Sequence, residues 1–464
     1  MSAPTAAPVA TRPSAYYFAP DLRLIKLEDK LQTGGENGTV LKGHILADLV
    51  SAEVTMVNTG LATYTLTFNN TILTTAKDRK DEETAGTADY APPPTGAWPR
   101  YKYNDFAEFR FGRRLRVEFR YWPEPPGDAT EKAAASQKWV PMVSGPITDI
   151  DFSFTDEGAR IVVSGEDDLR PLKDKSPKRV QLNRMAEKSM VERALQKAEY
   201  PLTSIATPLV DYPGFATNDG NGLNDVIRKD QSYYEFIQHL AERFDFEVFL
   251  EFADMAYDGN NAPAQKFHFE PFRGRKQPQG GSQDVYTLER DKNLIDFAPT
   301  LSVADQYTGV DVRGRHRDPQ DPTEVRGTAD SGLRDELHID SSKDGTLSTA
   351  KEVREFFFPN RENKASPQNI TNLDQARADC VAEAVMRKKA RELLTVAGTT
   401  LGLPRLRPGR HVEIRGMRAP FDGFYYVTKT THSYGRQGFR TKFWAERPGM
   451  ELPPYRMRAA EGAG

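Results

Sequence analysis

Three acidic side chains, Glu166, Asp167 and Asp168, stand together in GEDD at 165–168. Paired carboxylates are what glycoside hydrolysis uses, one as acid and the other as base or nucleophile. The signal is weak, because a chain with 66 Asp and Glu residues places acids side by side by chance. The stretch NDGNGLND at 218–225 raises calcium. An EF-hand loop needs oxygen ligands at positions 1, 3 and 5 and glycine at 6. Counted from Asp219, the third position is Asn221, but Leu223 and Asn224 take the fifth and sixth. The pattern fails where it is strictest, and a turn rich in Asn and Gly is the better reading. Gly220-Asn221-Gly222 also opens a dinucleotide fingerprint, yet Asp225 replaces the third glycine and no βαβ unit precedes it.

The seven histidines are His44, His239, His268, His316, His338, His411 and His432. None pairs with another at a local metal-binding spacing. His411 and His432 could face each other across a hairpin, but packing is the better reading. The single cysteine, Cys380, excludes an intramolecular disulfide and a cysteine-based zinc cluster. It lies in the helical stretch NLDQARADCVAEAVMRKKARELL and reads as a small helix residue rather than a nucleophile. That usage fits a reducing cytoplasm. No phosphate-binding loop, zinc-protease helix or nucleophile elbow occurs. The expectation is no catalytic residue, no metal and no cofactor.

The elements around these residues say more. At 464 residues the chain is too long for one core and suggests about three domains. A net charge of −3 supplies no general attraction to nucleic acid or anionic membrane. Mean hydropathy is −0.64, and no apolar run approaches the length of a membrane-spanning helix. The start, MSAPTAAPVATRPSA, has no basic and apolar signal regions and reads as a flexible leader.

One phrase is written nearly twice. Val117-Glu118-Phe119-Arg120 lies in GRRLRVEFR, and Val412-Glu413-Ile414-Arg415 in GRHVEIRG. Each alternates apolar and charged side chains, as a half-buried strand does. SGPITDIDFSFTDEGARIVVSG follows the first and DGFYYVTKTTHSYGRQGFRTKFW the second. Each of these runs through an alternating strand, turns on a glycine-containing polar stretch and returns as another strand. The shared order points to two related β-domains. Val117 and Val412 are then expected to be one structural position, core-facing, with Glu118 and Glu413 on the opposite face.

Along the chain, residues 1–15 form the leader and 16–172 a first β-domain, with a charged, Pro-rich loop at 76–100 that is too polar to join a core. Residues 173–290 hold a helical block at 177–199, opened by Ser176-Pro177, and then a small α/β module. In its helix Tyr234, Ile237, Leu240 and Ala241 share one face. Residues 291–450 form a second β-domain, split by a polar excursion at 316–370 and a helix at 371–397, and 451–464 are a tail. The class is α+β, mainly β.

This layout resembles the baseplate hub proteins of contractile tails: the phage late-control-D type, the hub portion of VgrG proteins and the hubs of extracellular contractile injection systems. FRFGRRLRVEFRY with VPMVSGPITDIDFSFTDEGARIVVSGEDDLRPL is similar to the family's first tube-type barrel. DQSYYEFIQHLAERFDFEVFLEF is similar to its α/β module, LIDFAPTLSVADQYTGVDVRGR to the entry of its second barrel, and LRPGRHVEIRGMRAPFDGFYYVTKTTHSYGRQGFRTKFWAER to its close. The resemblance covers roughly 100–315 and 371–450. It implies two related barrels and a homotrimer that joins a six-fold tail tube to a three-fold spike. Partners would be the tube protein, the spike and other baseplate components, with no nucleic-acid readout and no transmembrane segment. The particle would be assembled in the bacterial cytoplasm. VgrG chains continue into a β-prism spike, whereas this sequence stops at ELPPYRMRAAEGAG, so the spike is expected to be a separate polypeptide. The resemblance extends equally to virions, free injection devices and membrane-anchored ones.

Two other classes compete with this reading. A tail-associated cell-wall hydrolase is the alternative function, but no free segment remains for its catalytic domain. A carbohydrate-binding β-protein would explain sheets and exposed aromatics, though not a duplication with an α/β insert.

Overall fold

The computed structural model describes residues 19–32, 35–70, 101–122, 139–156, 158–177, 179–201, 205–206, 223–253, 262–273, 285–316, 324–329, 347–367 and 370–452. The leader, loop 76–100, His338 and most of the tail fall outside them, as does NDGNG of the calcium-like stretch.

The chain is mainly β, as expected, and one largely antiparallel sheet of 13 strands dominates. Its long path runs 294–301, 394–401, 438–447, 423–435, 49–57, 63–69, 158–166, 140–155, 114–122, 19–26 and 39–40. A branch adds 411–415 beside 423–435, and 285–289 beside 411–415. Alternation in sequence decides which face each strand buries: in Thr63–Asn69, Tyr64, Leu66 and Phe68 are buried and the residues between them are not. Two cores result. One gathers Val54, Leu66, Phe68, Val117, Phe119 and Val163, and the other Val396, Val412, Ile414, Tyr425 and Phe443.

The strands form no closed barrel among the described residues. Two separate barrels were expected; instead strand Gly423–Gly435 pairs antiparallel with Leu49–Val57, so both halves share one sheet. A strand edge occupied by the other half is not available to close its own unit.

A third core lies beside the sheet in space, built mostly from residues between the halves in sequence and completed by residues from within the second, such as Val310 and Val312. Helix Tyr233–Phe244 begins at a capping box, in which the Ser232 side chain accepts from the Glu235 amide and Glu235 accepts from the Ser232 amide. It buries Tyr234, Ile237, Leu240 and Ala241, the predicted face, and passes through left-handed Asp245 into strand Phe246–Phe252. That strand pairs with Gln265–Pro271. Helix Gln375–Arg391 packs into the same core and carries Cys380, which is buried.

Two local expectations change. The helical block predicted over 177–199 is strand Val180–Met185, paired with Leu223–Ile227, followed by helix Glu187–Lys197. Ser176-Pro177 therefore opens no helix. VQLNRM alternates, and a strand partner outweighs the weak helical preference of its residues. The run VLKGHILADLVSAEVTMV, within the stretch expected to be a β-domain, contains helix Gly43–Ala47 ahead of strand Leu49–Val57. Part of the polar excursion is also ordered: helix Ala350–Phe357 starts at a Thr349/Glu352 capping box and buries Val353 in the second core.

Candidate functional site

The feature that stands out is a repeat of five strands. In chain order these are 49–57, 63–69, 114–122, 140–155 and 158–166, and then 294–301, 394–401, 411–415, 423–435 and 438–447. Both sets have the same sheet order: first, second, fifth, fourth, third. The irregularities repeat as well. The first strand of each set slips where it meets the second, between Leu49 and Ser51 and between Leu294 and Asp296. The fourth strand bulges against the fifth at Thr148 and at Thr428. The Thr148 hydroxyl donates to the Ser164 carbonyl at 3.4 Å and the Thr428 hydroxyl to the Trp444 carbonyl at 3.3 Å. A bulge is a specific local device, so its recurrence fixes the correspondence of the two copies.

That correspondence corrects the sequence alignment. Leu115 lies opposite Gly145 and Val117 opposite Val143; Val412 lies opposite Tyr425 and Ile414 opposite Gly423. Counting from the shared bulge, Val412 matches Leu115, and Ile414 matches Val117. The repeated phrase is two residues out of register, a shift that preserves the buried face because strand side chains alternate. All four are buried. The glutamates do differ. Glu118 is fully buried, paired with Arg23 and Arg116 at 2.6 Å each, while Glu413 is half-buried beside Arg415.

Where the copies meet, His432 lies opposite Val54 and Tyr434 opposite Ala52, and the Thr55 and Thr431 hydroxyls bond at 2.8 Å. Thr430 and His432 are fully buried. Burial and the Arg407 charge push the His432 imidazole down to about pKa 3. Tyr434 and Phe439 pack into the core of the first copy, with Phe439 stacked on Phe119 at 4.6 Å.

The α/β module is bolted to this junction by buried polar groups. Tyr426 and Asn58, one from each copy, donate to Glu247 at 2.5 and 2.7 Å. Arg410 reaches Glu251 at 2.6 Å. Burial raises the pKa of Glu247 to about 7, of Glu446 to about 7 and of Asp167 to about 8. A carboxyl raised in this way keeps its proton in the folded chain after the unfolded chain has lost it. Its contribution is complete below the ordinary carboxylate range and is lost as pH rises through the folded pKa. His432 acts in the opposite sense, losing its contribution only as pH falls below the ordinary imidazole value. Stability is therefore expected to fall between pH 6.5 and 8.5. Glu247→Gln should lose about 1 kcal/mol less across that window in denaturant titrations. An unchanged slope in the variant would assign the loss to other groups.

No family model and no curated protein matches the sequence. Solved structures do match. A tail protein from Neisseria meningitidis MC58 aligns over 93% of this chain and 97% of its own, at 10% identity and a TM-score of 0.53. The 43 kDa tail protein of prophage MuSo2 from Shewanella oneidensis aligns over 93% of this chain and 99% of its own, at 12% identity and a TM-score of 0.54. This chain has their fold.

Within that fold the residues first inspected for chemistry are spoken for one by one. Glu166 pairs with Arg170 and Lys173, Asp167 accepts from the Ala62 and Leu169 amides, and Asp168 accepts from Arg114, Ser144 and Gln265. His411 lies opposite Tyr426 and His432 opposite Thr441, so these two histidines do not face each other. His268 sits with Glu270 at 3.2 Å and stacks on Phe249. Among the described residues, no three His, Cys, Asp or Glu side chains converge on a metal position, and no helix is long and apolar enough to cross a membrane. Sequence reasoning missed the junction itself. Alternation gives no sign of which strand of one unit will meet which strand of the other, since half-buried strands look alike in sequence.

Proposed function

We propose that this chain is the structural, non-enzymatic hub of a contractile tail or injection device, a homotrimer that adapts a six-fold tube to a three-fold spike. One observation carries the reading: two like five-stranded units already stand side by side in one continuous sheet. Three chains joined head to tail would repeat that arrangement into a ring of six such units, matching the tube, while everything between the units stays three-fold. On this reading 16–172 and 291–450 build the ring and 173–290 forms an arm outside it. The fold shared with two tail proteins supports a place in such a particle.

Light scattering of the purified chain should give three times the 52.1 kDa chain mass. A cryo-EM reconstruction with its tube and spike partners should show the two units alternating around one closed ring. A monomer at all concentrations, or a ring built from only one unit per chain, would refute the proposal.

A further inference from the structure

The junction inside the chain has a second, unfilled counterpart. It joins the fourth strand of the second unit to the first strand of the first unit. The fourth strand of the first unit, Val140–Thr155, and the first strand of the second, Leu294–Leu301, each lack that neighbour among the described residues. We infer that these two edges pair with each other between copies of this chain, antiparallel, with Ile150 opposite Leu301, Phe152 opposite Pro299 and Phe154 opposite Phe297. This rests on the ring reading above and names the surfaces that close it.

The register follows from the shared bulges. Thr430, His432 and Tyr434 of the internal junction correspond to Ile150, Phe152 and Phe154. Ala52, Val54 and Met56 correspond to Phe297, Pro299 and Leu301. At the internal junction Thr430, His432, Ala52, Val54 and Met56 are buried. At the open edges all six positions are apolar, yet Phe154 is 53% and Leu301 41% exposed. Two apolar rows on free edges, at positions that are buried, or at Tyr434 half-buried, when the equivalent edges meet, are what an interface needs and a solvated edge avoids. Phe154 extends its row to Tyr101 at 4.8 Å, and Phe152 extends it to Phe106 at 5.8 Å.

The backbone agrees. The Asn58 amide donates to Thr428 across the internal junction, so every second residue from there faces the partner strand. Counted in the same way, Pro299 faces the free edge, consistent with the Ser302 amide donating inward to Leu393. Proline is tolerated there because its missing N–H removes one bond of the new ladder and none of the existing sheet. Asp151 then falls opposite Thr300, the counterpart of the Thr431–Thr55 pair, at a site where the two backbones approach closely.

The test is a cysteine pair at those two positions. On mild oxidation, Asp151→Cys with Thr300→Cys should give a covalent trimer on a denaturing gel, because close antiparallel pairs suit disulfide geometry. Neither single variant should cross-link beyond a dimer. Separately, Phe154→Asp with Leu301→Asp should leave the melting temperature of the monomer unchanged, since both positions are exposed in it, and should abolish the trimer. If scattering gives a trimer, the double cysteine does not cross-link and the aspartate variant still assembles, the copies meet elsewhere and this inference fails while the trimer stands. A disulfide formed within one chain would also overturn it. A monomeric wild type would overturn both this inference and the ring.

Discussion

Arg377→Met is expected to cost about 3–5 kcal/mol of folding stability, the usual penalty for breaking a buried ion pair from one side. Arg377 is the largest fully buried side chain described. Its guanidinium donates to both oxygens of Glu187, at 2.6 and 3.2 Å, and to Asp374. Glu187 has no exposed surface, so the variant leaves its carboxylate in a dry site without its bidentate partner. The contact spans 190 residues of sequence and ties helix Glu187–Lys197 to helix Gln375–Arg391. The loss should therefore appear as early unfolding of the α/β module, detected by hydrogen exchange in 233–271 before the sheet opens. Adding Glu187→Gln to Arg377→Met should recover part of the loss, because the stranded charge is gone. If the double variant is as unstable as the single one, the cost lies in lost packing rather than in charge.

Gly398→Leu is expected to destabilise the second unit by about 3 kcal/mol or more, the upper range for overpacking a core. A Cβ at Gly398 would stand 2.4 Å from the Phe443 ring, which is fully buried. The repeat supplies the reason for the glycine. Gly398 lies opposite Phe443, and at the equivalent place in the first unit Leu66 lies opposite Val163. The two copies fill the same space with the volumes exchanged: a small residue beside an aromatic ring in one, two aliphatic side chains in the other. Phe443→Val alone should open a cavity and cost about 3 kcal/mol. The combination of Gly398→Leu with Phe443→Val rewrites the second unit as the first and should be more stable than either single variant. Denaturant titrations of all four proteins give the coupling directly. Additive losses would mean that the units are alike in topology but not in packing.

The sequence by itself determined the strands, because one-face burial writes a period of two that survives in VEFR, VEIR and the two closing hairpins. It also determined the α/β module, whose helix Tyr233–Phe244 carries an apolar face and follows its own cap at Ser232. The repeat was legible for the same reason, but its register was not. The phrase shared by Val117 and Val412 suggested an alignment two residues away from the one that the bulges at Thr148 and Thr428 enforce. Alternation cannot detect such a shift, since every second residue looks alike. The strand Val180–Met185 was hidden because its partner lies about forty residues downstream. The buried roles of Glu118, Glu187 and Glu247 were hidden as well, because a glutamate in a polar sequence carries no mark of whether an arginine or a tyrosine waits for it elsewhere in the chain. Only the tertiary structure decided that the two units share one sheet instead of closing separately. Strand pairing is a contest among backbone edges of equal chemistry, and the winner is set by which edges the intervening domains bring together.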